Sequence, residues 1–317
     1  MPVAARPHVS AFLGALALDM LLGDPPTALH PVGWIGRAVS LVEACAPSSG
    51  RSRRRYGMVA ATALPLLVAG GALCCVRVAS RLGAASNMAE SAALDTTFAL
   101  HTLFRRADEV RRALEAGDLD AARALLRRHL VSRDVSDLTA SEVAGAAIES
   151  VAENLSDGVV APWLAYTALG LPGAFAYRTI NTLDSMWGYR TERYNDLGFA
   201  AANIDDAANW VPARVTALAI VAAAALGGED TRGAFEVWRR DAAQTDSPNA
   251  GHPMSAMAGA LGVVLTKRGL YTLGGDGREP EAGDIARAIR MARLAAFASA
   301  VLVAAVLSRS SRSSRSS

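Results

Sequence analysis

The sequence predicts an all-α, polytopic integral membrane protein that carries a water-soluble amphipathic helical hairpin. Three observations predict it. Hydrophobic residues make up 51% of the 317-residue chain and charged residues only 20%, below the roughly 25% of ordinary soluble domains. Residues 57–76 carry no charge, and as a helix they would span about 30 Å, the thickness of a bilayer's hydrocarbon core. Residues 103–130 place leucine, alanine and valine at three- and four-residue spacing among many Arg, Asp and Glu, the period of a helix with one wet face.

Taken in order, residues 9–18 are apolar, but Asp19 follows with no small-residue cleavage site. An uncleaved membrane segment or buried helix fits better than a secretory signal. The basic cluster at 51–55 precedes the 57–76 run and favours a cytoplasmic location for that end. Pro65 can kink this span without ending it, because neighbouring helices satisfy freed backbone groups. Residues 158–177 are also uncharged but contain Pro162, Pro172 and three glycines, so a broken or re-entrant segment is expected. Residues 247–266 are uncharged with a Pro- and Gly-rich first half, and 215–228 and 294–307 are shorter apolar runs. Four or five membrane segments are expected in one domain, 1–307, with 81–139 as a soluble helical insertion. Within it Ala116-Gly117-Asp118 should break the amphipathic stretch, Gly117 as C-cap and Asp118 as the next N-cap. No β alternation of any length is visible, and the Ser/Arg repeat at 308–317 reads as disordered.

Charge and cysteine content exclude several functions. Thirty-two basic and thirty acidic residues give a net charge of +2, so no strong field favours nucleic acid. Three cysteines without a CxxC pair argue against a disulfide framework or structural zinc. No GxxxxGK[ST] loop, dinucleotide fingerprint or HExxH occurs.

Five polar stretches carry the chemistry. Asp19, Asp24 and His30 lie at the end of an apolar segment, where a charge is costly and faces protein or a polar cavity; a Gly-Asp-Pro turn is the plainer reading. Glu149, Glu153 and Asp157 recur every four residues and would form one carboxylate stripe on a helix. Such a stripe suits Mg²⁺ or an arginine-lined cavity, or else a solvated surface. Asn154 lies beside it. The third stretch holds Asn181 and Asp184 on one helix face, then Tyr189, Arg190, Arg193, Tyr194 and Asp196; the guanidinium forks suit phosphate or carboxylate, and mutual pairing is the alternative. The fourth is Asp205, Asp206, Asn209 and Arg214 ahead of an apolar run. The fifth contains Ser247, Asn249 and His252.

The ordered set resembles the CobD/CbiB family of cobalamin biosynthesis. The resemblance runs through Leu22-Gly23-Asp24-Pro25 and His30-Pro31-Val32, Glu149-Ser150-Val151-Ala152-Glu153-Asn154, Asn181-Thr182-Leu183-Asp184-Ser185-Met186, Gly188-Tyr189-Arg190 with Glu192-Arg193-Tyr194, Asp205-Asp206, Pro212-Ala213-Arg214 and Ser247-Pro248-Asn249-Ala250-Gly251. It covers about 18–294. His252-Pro253-Met254 departs from the family's pattern and puts an acidic role there in doubt. The resemblance implies a multi-pass protein of the cell membrane that joins the free propionate carboxylate of adenosylcobyric acid to aminopropanol or its phosphate. It further implies ATP to drive the amide bond and Mg²⁺ to assist. On that reading Glu149, Glu153 and Asp157 are catalytic and organise Mg²⁺, and Asp184 or Asp196 is the base. Arg190, Arg193 and Arg214 hold phosphates, and Asn154, Asn181, Asn209 and Asn249 meet the corrin's amides. Asp24, His30, Tyr189, Tyr194, Asp205, Asp206 and Ser247 complete the expected substrate site. A transporter, or a non-catalytic scaffold for other corrinoid enzymes at the membrane, are the alternatives.

Overall fold

The computed structural model describes residues 7–24, 30–48, 50–83, 85–189 and 191–313. The elements are α1 (Val9–Leu22), α2 (Pro31–Ala44), α3 (Gly50–Ala79), α4 (Ala85–Asp95), α5 (Leu100–Glu115), α6 (Leu119–His129), α7 (Ala140–Leu155), a π turn (Ser156–Val160), α8 (Ala161–Trp187), α9 (Phe199–Gly227), α10 (Thr231–Asp241), α11 (Gly251–Leu261), β1 (Leu265–Lys267), β2 (Tyr271–Leu273) and α12 (Ala282–Ser313). The protein is all-α apart from one small hairpin. Four stretches are long and apolar enough to cross a membrane: Gly50–Ala79, Ala140–Trp187, Phe199–Gly227 and Ala282–Arg309. The chain divides into two compact units, residues up to 99 with 161–208 and 302 onward, and residues 100–160 with 209–301.

In the first unit α4 packs along α1, and α8 lies against α2 and α3. Residues 81–99, expected in the soluble insertion, therefore group with apolar helices. Trp163 is fully buried and meets Phe12 and Phe98 edge-on, at centroid separations of 5.4 and 5.5 Å, the geometry that ring quadrupoles favour. Helix α3 turns most of its apolar surface outward: only 17% of its most apolar window is buried. Leu66 and Leu67 are 72% and 70% exposed, an arrangement suited to lipid rather than water. Its inner contact runs through Gly57, where an added Cβ would lie 2.1 Å from the Leu197 carbonyl oxygen.

The expected break at 158–177 is present. Gly170 adopts φ 68° and ψ −161° inside α8, with Pro172 just beyond. A Cβ on Gly173 would lie 2.4 Å from the carbonyl oxygen of Ala165. Eight residues of continuous helix rise about 12 Å, so the chain doubles back at Gly170, and only glycine fits at both points.

In the second unit the amphipathic pair forms as α5 and α6. Gly117 takes φ 74°, and Gly117 and Asp118 return their amide protons to Leu114 and Ala113 at 3.0 Å each, a Schellman closure. The Asp118 carboxylate then caps α6 by accepting from the Ala121 amide at 2.9 Å. Helix α7 begins with a capping box between Thr139 and Glu142 and is buried along most of its length. Helices α10 and α11 meet at backbone distance: a Cβ on Gly259 would be 2.2 Å from the Gly233 carbonyl oxygen. Residues 247–266, read from sequence as an apolar run, instead supply the short buried α11, stopped by Gly262 at φ 66°. The run then enters the β hairpin, which the sequence reading did not anticipate. Helix α12 continues through Ser313, into the repeat expected to be disordered; extending a formed helix costs less than nucleating one. Residues 314–317 lie outside the described residues.

Candidate functional site

Four of the expected polar stretches converge within the first unit. His30 caps α2, its Nδ1 accepting from the Val32 amide at 3.2 Å with Pro31 at the first helical position. An acceptor nitrogen requires neutral imidazole, and burial, with Arg178 adding to it, lowers the His30 pKa against the opposing pull of Asp24. Asp24, His30 and Arg178 therefore share one electrostatic neighbourhood. Arg178 donates to Asn181 Oδ1 at 3.2 Å, and Asn181 reaches Asp205 at 3.5 Å. Asp184 is the electrostatic neighbour of Asp206. Asp95, at the end of α4, joins Asp19 and Asp24; burial first, and then those two carboxylates, push its pKa up to about 7.

The loop after α8 is organised by Glu43, a residue that the sequence motifs do not mark. Glu43 Oε1 accepts from Arg193 at 2.7 Å and Tyr194 at 3.1 Å, and Oε2 accepts from the buried Trp187 indole at 3.2 Å. Arg193 also stacks over the Tyr194 ring at 5.1 Å, and Tyr189 lies 6.3 Å from Tyr194 between centroids. Arg193 and Tyr194 thus fasten the loop to α2. Asp196 is half-buried in the same loop. Arg190 lies outside the described residues.

In the second unit the carboxylate stripe is cut short. Glu149 and Glu153 line one cavity of about 230 Å³ with Ser132, Arg133, Ser150, Lys267 and Tyr271. Asp157 falls in the π turn, whose wider winding carries it off the line of the other two, and it is not in the cavity lining. Glu149 is only 6% exposed. Its Oε2 stands 3.6 Å from Arg133, and its Oε1 has no hydrogen-bond partner. Asn154 is exposed and donates back to Ser150. Burial, then Glu149 and Glu153, hold the Tyr271 hydroxyl's pKa above its ordinary range. Lys267 and Tyr271 are cross-strand partners in the hairpin, so both side chains leave the same face. Among the described residues no group of three or more His, Cys, Asp or Glu side chains could hold a metal ion. With Arg133 and Lys267 already beside the two carboxylates, this cavity does not fit a resident Mg²⁺.

A wider groove of about 800 Å³ lies at the Ser247–Asn249 turn of the same unit, lined by Arg214, Trp238, Arg239, Thr245, Asp246 and His252 among others. Ser247 Oγ accepts from the Asn249 and Ala250 amides, each at 3.3 Å. The buried Asn249 accepts from Arg214 at 3.3 Å. Arg214 also lies over the Trp210 ring, 4.3 Å from its centroid. Trp238 donates to His252 Nδ1 at 2.8 Å, which fixes a neutral tautomer; burial, and then Arg214, lower the His252 pKa. Asn209 is buried on α9. Sequence reasoning missed Trp238, Arg239, Arg133 and Lys267. Only the last carried a signal: Gly269 between Leu265/Lys267 and Tyr271/Leu273 is a turn between two short alternations.

A family model described as CobD/Cbib protein matches residues 12–301. The cobalamin biosynthesis protein CobD of Mycobacterium tuberculosis is 41% identical over 298 residues, covering 90% of this chain and 91% of that protein. Those of Geobacter metallireducens and Dehalococcoides mccartyi are each 41% identical, over 86% and 84% of this chain and 85% and 86% of theirs. No solved structure matches the chain. A match of this extent leaves one conclusion: the chain belongs to the CobD/CbiB family, and its role lies in cobalamin biosynthesis.

Proposed function

We propose that this protein is an amide-forming ligase of the cell membrane, joining the free propionate carboxylate of adenosylcobyric acid to aminopropanol or aminopropanol phosphate. The observation that carries the reading is the groove at the Ser247–Asn249 turn. It offers an aromatic face at Trp238 and two guanidinium groups at Arg214 and Arg239. A large, flat, amide-fringed ring bearing one carboxylate calls for that combination.

ATP is the second substrate in this scheme. A carboxylate is a poor acyl donor, and transfer of the γ-phosphoryl group makes an acyl phosphate and ADP. Attack by the amine forms the amide bond, phosphate leaves, and the amine's proton passes to a carboxylate base. Asp184, Asp196 and Glu153 are the candidates for that base. Mg²⁺ enters as the partner of the nucleotide, consistent with its preference for phosphate and water ligands over an all-protein cage.

Purified protein in detergent, mixed with adenosylcobyric acid, ATP, Mg²⁺ and either amine, should yield the amide by mass spectrometry, and omission of ATP should abolish it. Trp238→Ala should raise KM for the corrinoid by about 10-fold, the loss of one aromatic contact. No product with every component present would overturn the ligase. The doubled-back helix at Gly170 is a feature that transporters also use; product formed in detergent, without a sealed compartment, decides against transport.

A further inference from the structure

The cavity between α7 and the β hairpin poses a charge problem that its own residues do not solve. Glu149 is buried, and one of its two oxygens has no hydrogen-bond donor. An acceptor left so in a low-dielectric site is costly. Arg133 stands at 3.6 Å from the other oxygen, beyond a good hydrogen bond. The chain therefore holds Glu149 near a cation without saturating either partner. Glu153 lines the same space, and so do Lys267 and Tyr271, projected side by side from the hairpin. Two carboxylates and two cations leave the lining with no net charge, so neither a simple anion nor a simple cation suits it. A divalent cation would be repelled by Arg133 and Lys267.

A cavity of about 230 Å³ has room for a molecule of a few carbon atoms with two polar ends; a water molecule takes roughly 30 Å³ of liquid volume. We propose that this cavity binds a short-chain phosphorylated amine, its ammonium on Glu149 and Glu153 and its phosphate on Arg133, Lys267 and the Tyr271 hydroxyl. An ammonium brings three donors and satisfies the orphaned Glu149 oxygen. A phosphate takes up the guanidinium fork that Glu149 leaves incompletely used. The Tyr271 hydroxyl, kept protonated beside two carboxylates, is available as a donor. In the ligase this is the seat of the amine, so the proposal deepens that reading and rests on it for the amine's fate. It makes the phosphorylated amine, rather than the free one, the preferred partner.

The test is equilibrium binding to the full-length protein in detergent, without corrinoid or ATP, using aminopropanol phosphate, aminopropanol, inorganic phosphate and ATP as separate probes. Aminopropanol phosphate should bind at least about 10-fold tighter than aminopropanol or phosphate, the size of one charge-assisted contact. Lys267→Met should remove that preference while leaving aminopropanol binding unchanged, and Lys267→Arg should restore it. Glu149→Gln should weaken both amines and leave phosphate binding as it was. Equal affinity for the two amines, or affinities unmoved by Lys267→Met and Glu149→Gln, would overturn the proposal. So would displacement of aminopropanol phosphate by ATP with Lys267 as the shared determinant, since the cavity would then be a nucleotide site. Lys267 lies on a half-exposed hairpin, and retained aminopropanol binding reports that the variant is folded. The two readings fail separately. If binding follows this pattern but no amide forms, only the ligase falls. If amide forms with an amine KM unaffected by these substitutions, only the cavity's role falls.

Discussion

Arg193 donates to Glu43 at 2.7 Å, tying the loop after α8 to helix α2. Burial alone would raise the Glu43 pKa, but hydrogen bonds from Arg193, Tyr194 and Trp187 outweigh it and hold the carboxyl below its ordinary value of 4.5. A depressed carboxylate contributes stability that is fully present above its unfolded pKa and is lost as pH falls through the folded one. Glu43→Gln should therefore lower the unfolding midpoint at pH 7 by ~2–4 °C, about 1 kcal/mol for a chain of this size. The difference from the native protein should vanish in acid. Arg193→Gln should act likewise, and KM for ATP should move by no more than roughly twofold. A tenfold rise in that KM with unchanged stability would return Arg193 to phosphate binding.

Asp95 has the opposite sign. Burial, with Asp19 and Asp24 nearby, raises its pKa from 3.8 to about 7. The unfolded chain releases this proton more readily, so the group costs stability progressively from pH 3.8 to 7 and fully above that. Asp95→Asn should be more stable than the native protein at pH 8, by about 1–2 kcal/mol after allowing for solvent screening of a part-buried group. The two should unfold together below about pH 4. Thermal unfolding across that range checks it, and a difference independent of pH would show that Asp95 acts through packing alone.

The contrast between these two acids explains how much of the molecule its sequence discloses. The membrane helices, the amphipathic pair and the break in α8 follow from properties local to the chain: uncharged runs, three-and-four spacing, and glycine with proline at 170–173. So does the carboxylate stripe, which four-residue spacing carries correctly from Glu149 to Glu153. It fails at Asp157, because a π turn changes the winding and leaves no mark on composition. Glu43 and Asp95 lie outside every motif. Their partners are Arg193 and Trp187 for one, and Asp19 and Asp24 for the other, remote in sequence and brought close only by helix packing. The groove around Trp238 and the pairing of Lys267 with Tyr271 have the same origin.

The amphipathic pair offers a test of local capping. Asp118 accepts from the Ala121 amide at 2.9 Å, and Gly117 carries a positive φ of 74°. Asp118→Ala should cost about 1 kcal/mol, and Gly117→Ala about as much, by forcing a Cβ into the left-handed region. Nothing stands within 4 Å of a Cβ at Gly117, so the second cost is conformational and not steric. Hydrogen exchange confined to α5 and α6 should register both changes while the remaining helices keep their protection. Loss of protection throughout the chain would mean that the pair is a keystone for the whole second unit.

Helix α3 gives the sharpest test of the membrane assignment, because its two faces make opposite predictions. Leu66 is 72% exposed in the middle of the helix. If that face meets lipid, Leu66→Arg places a cation near the bilayer centre at a cost of about 2.5–3.5 kcal/mol on insertion scales. In water the same exposed substitution costs about 0.5 kcal/mol or less. Gly70 also faces open space, with nothing within 4 Å of an added Cβ, so Gly70→Leu should be tolerated in lipid. Gly57 lies on the packed face, where a Cβ would stand 2.1 Å from the Leu197 carbonyl oxygen. No rotamer relieves a clash with backbone, so Gly57→Leu should push α3 away and cost at least about 3 kcal/mol. The measurement is the amount of each variant that resists carbonate extraction from membranes, followed by its unfolding midpoint in detergent. Leu66→Arg should lose membrane-integrated protein, Gly57→Leu should integrate but unfold early, and Gly70→Leu should match the native chain. Full integration and native stability of Leu66→Arg would mean that the exposed face of α3 meets water.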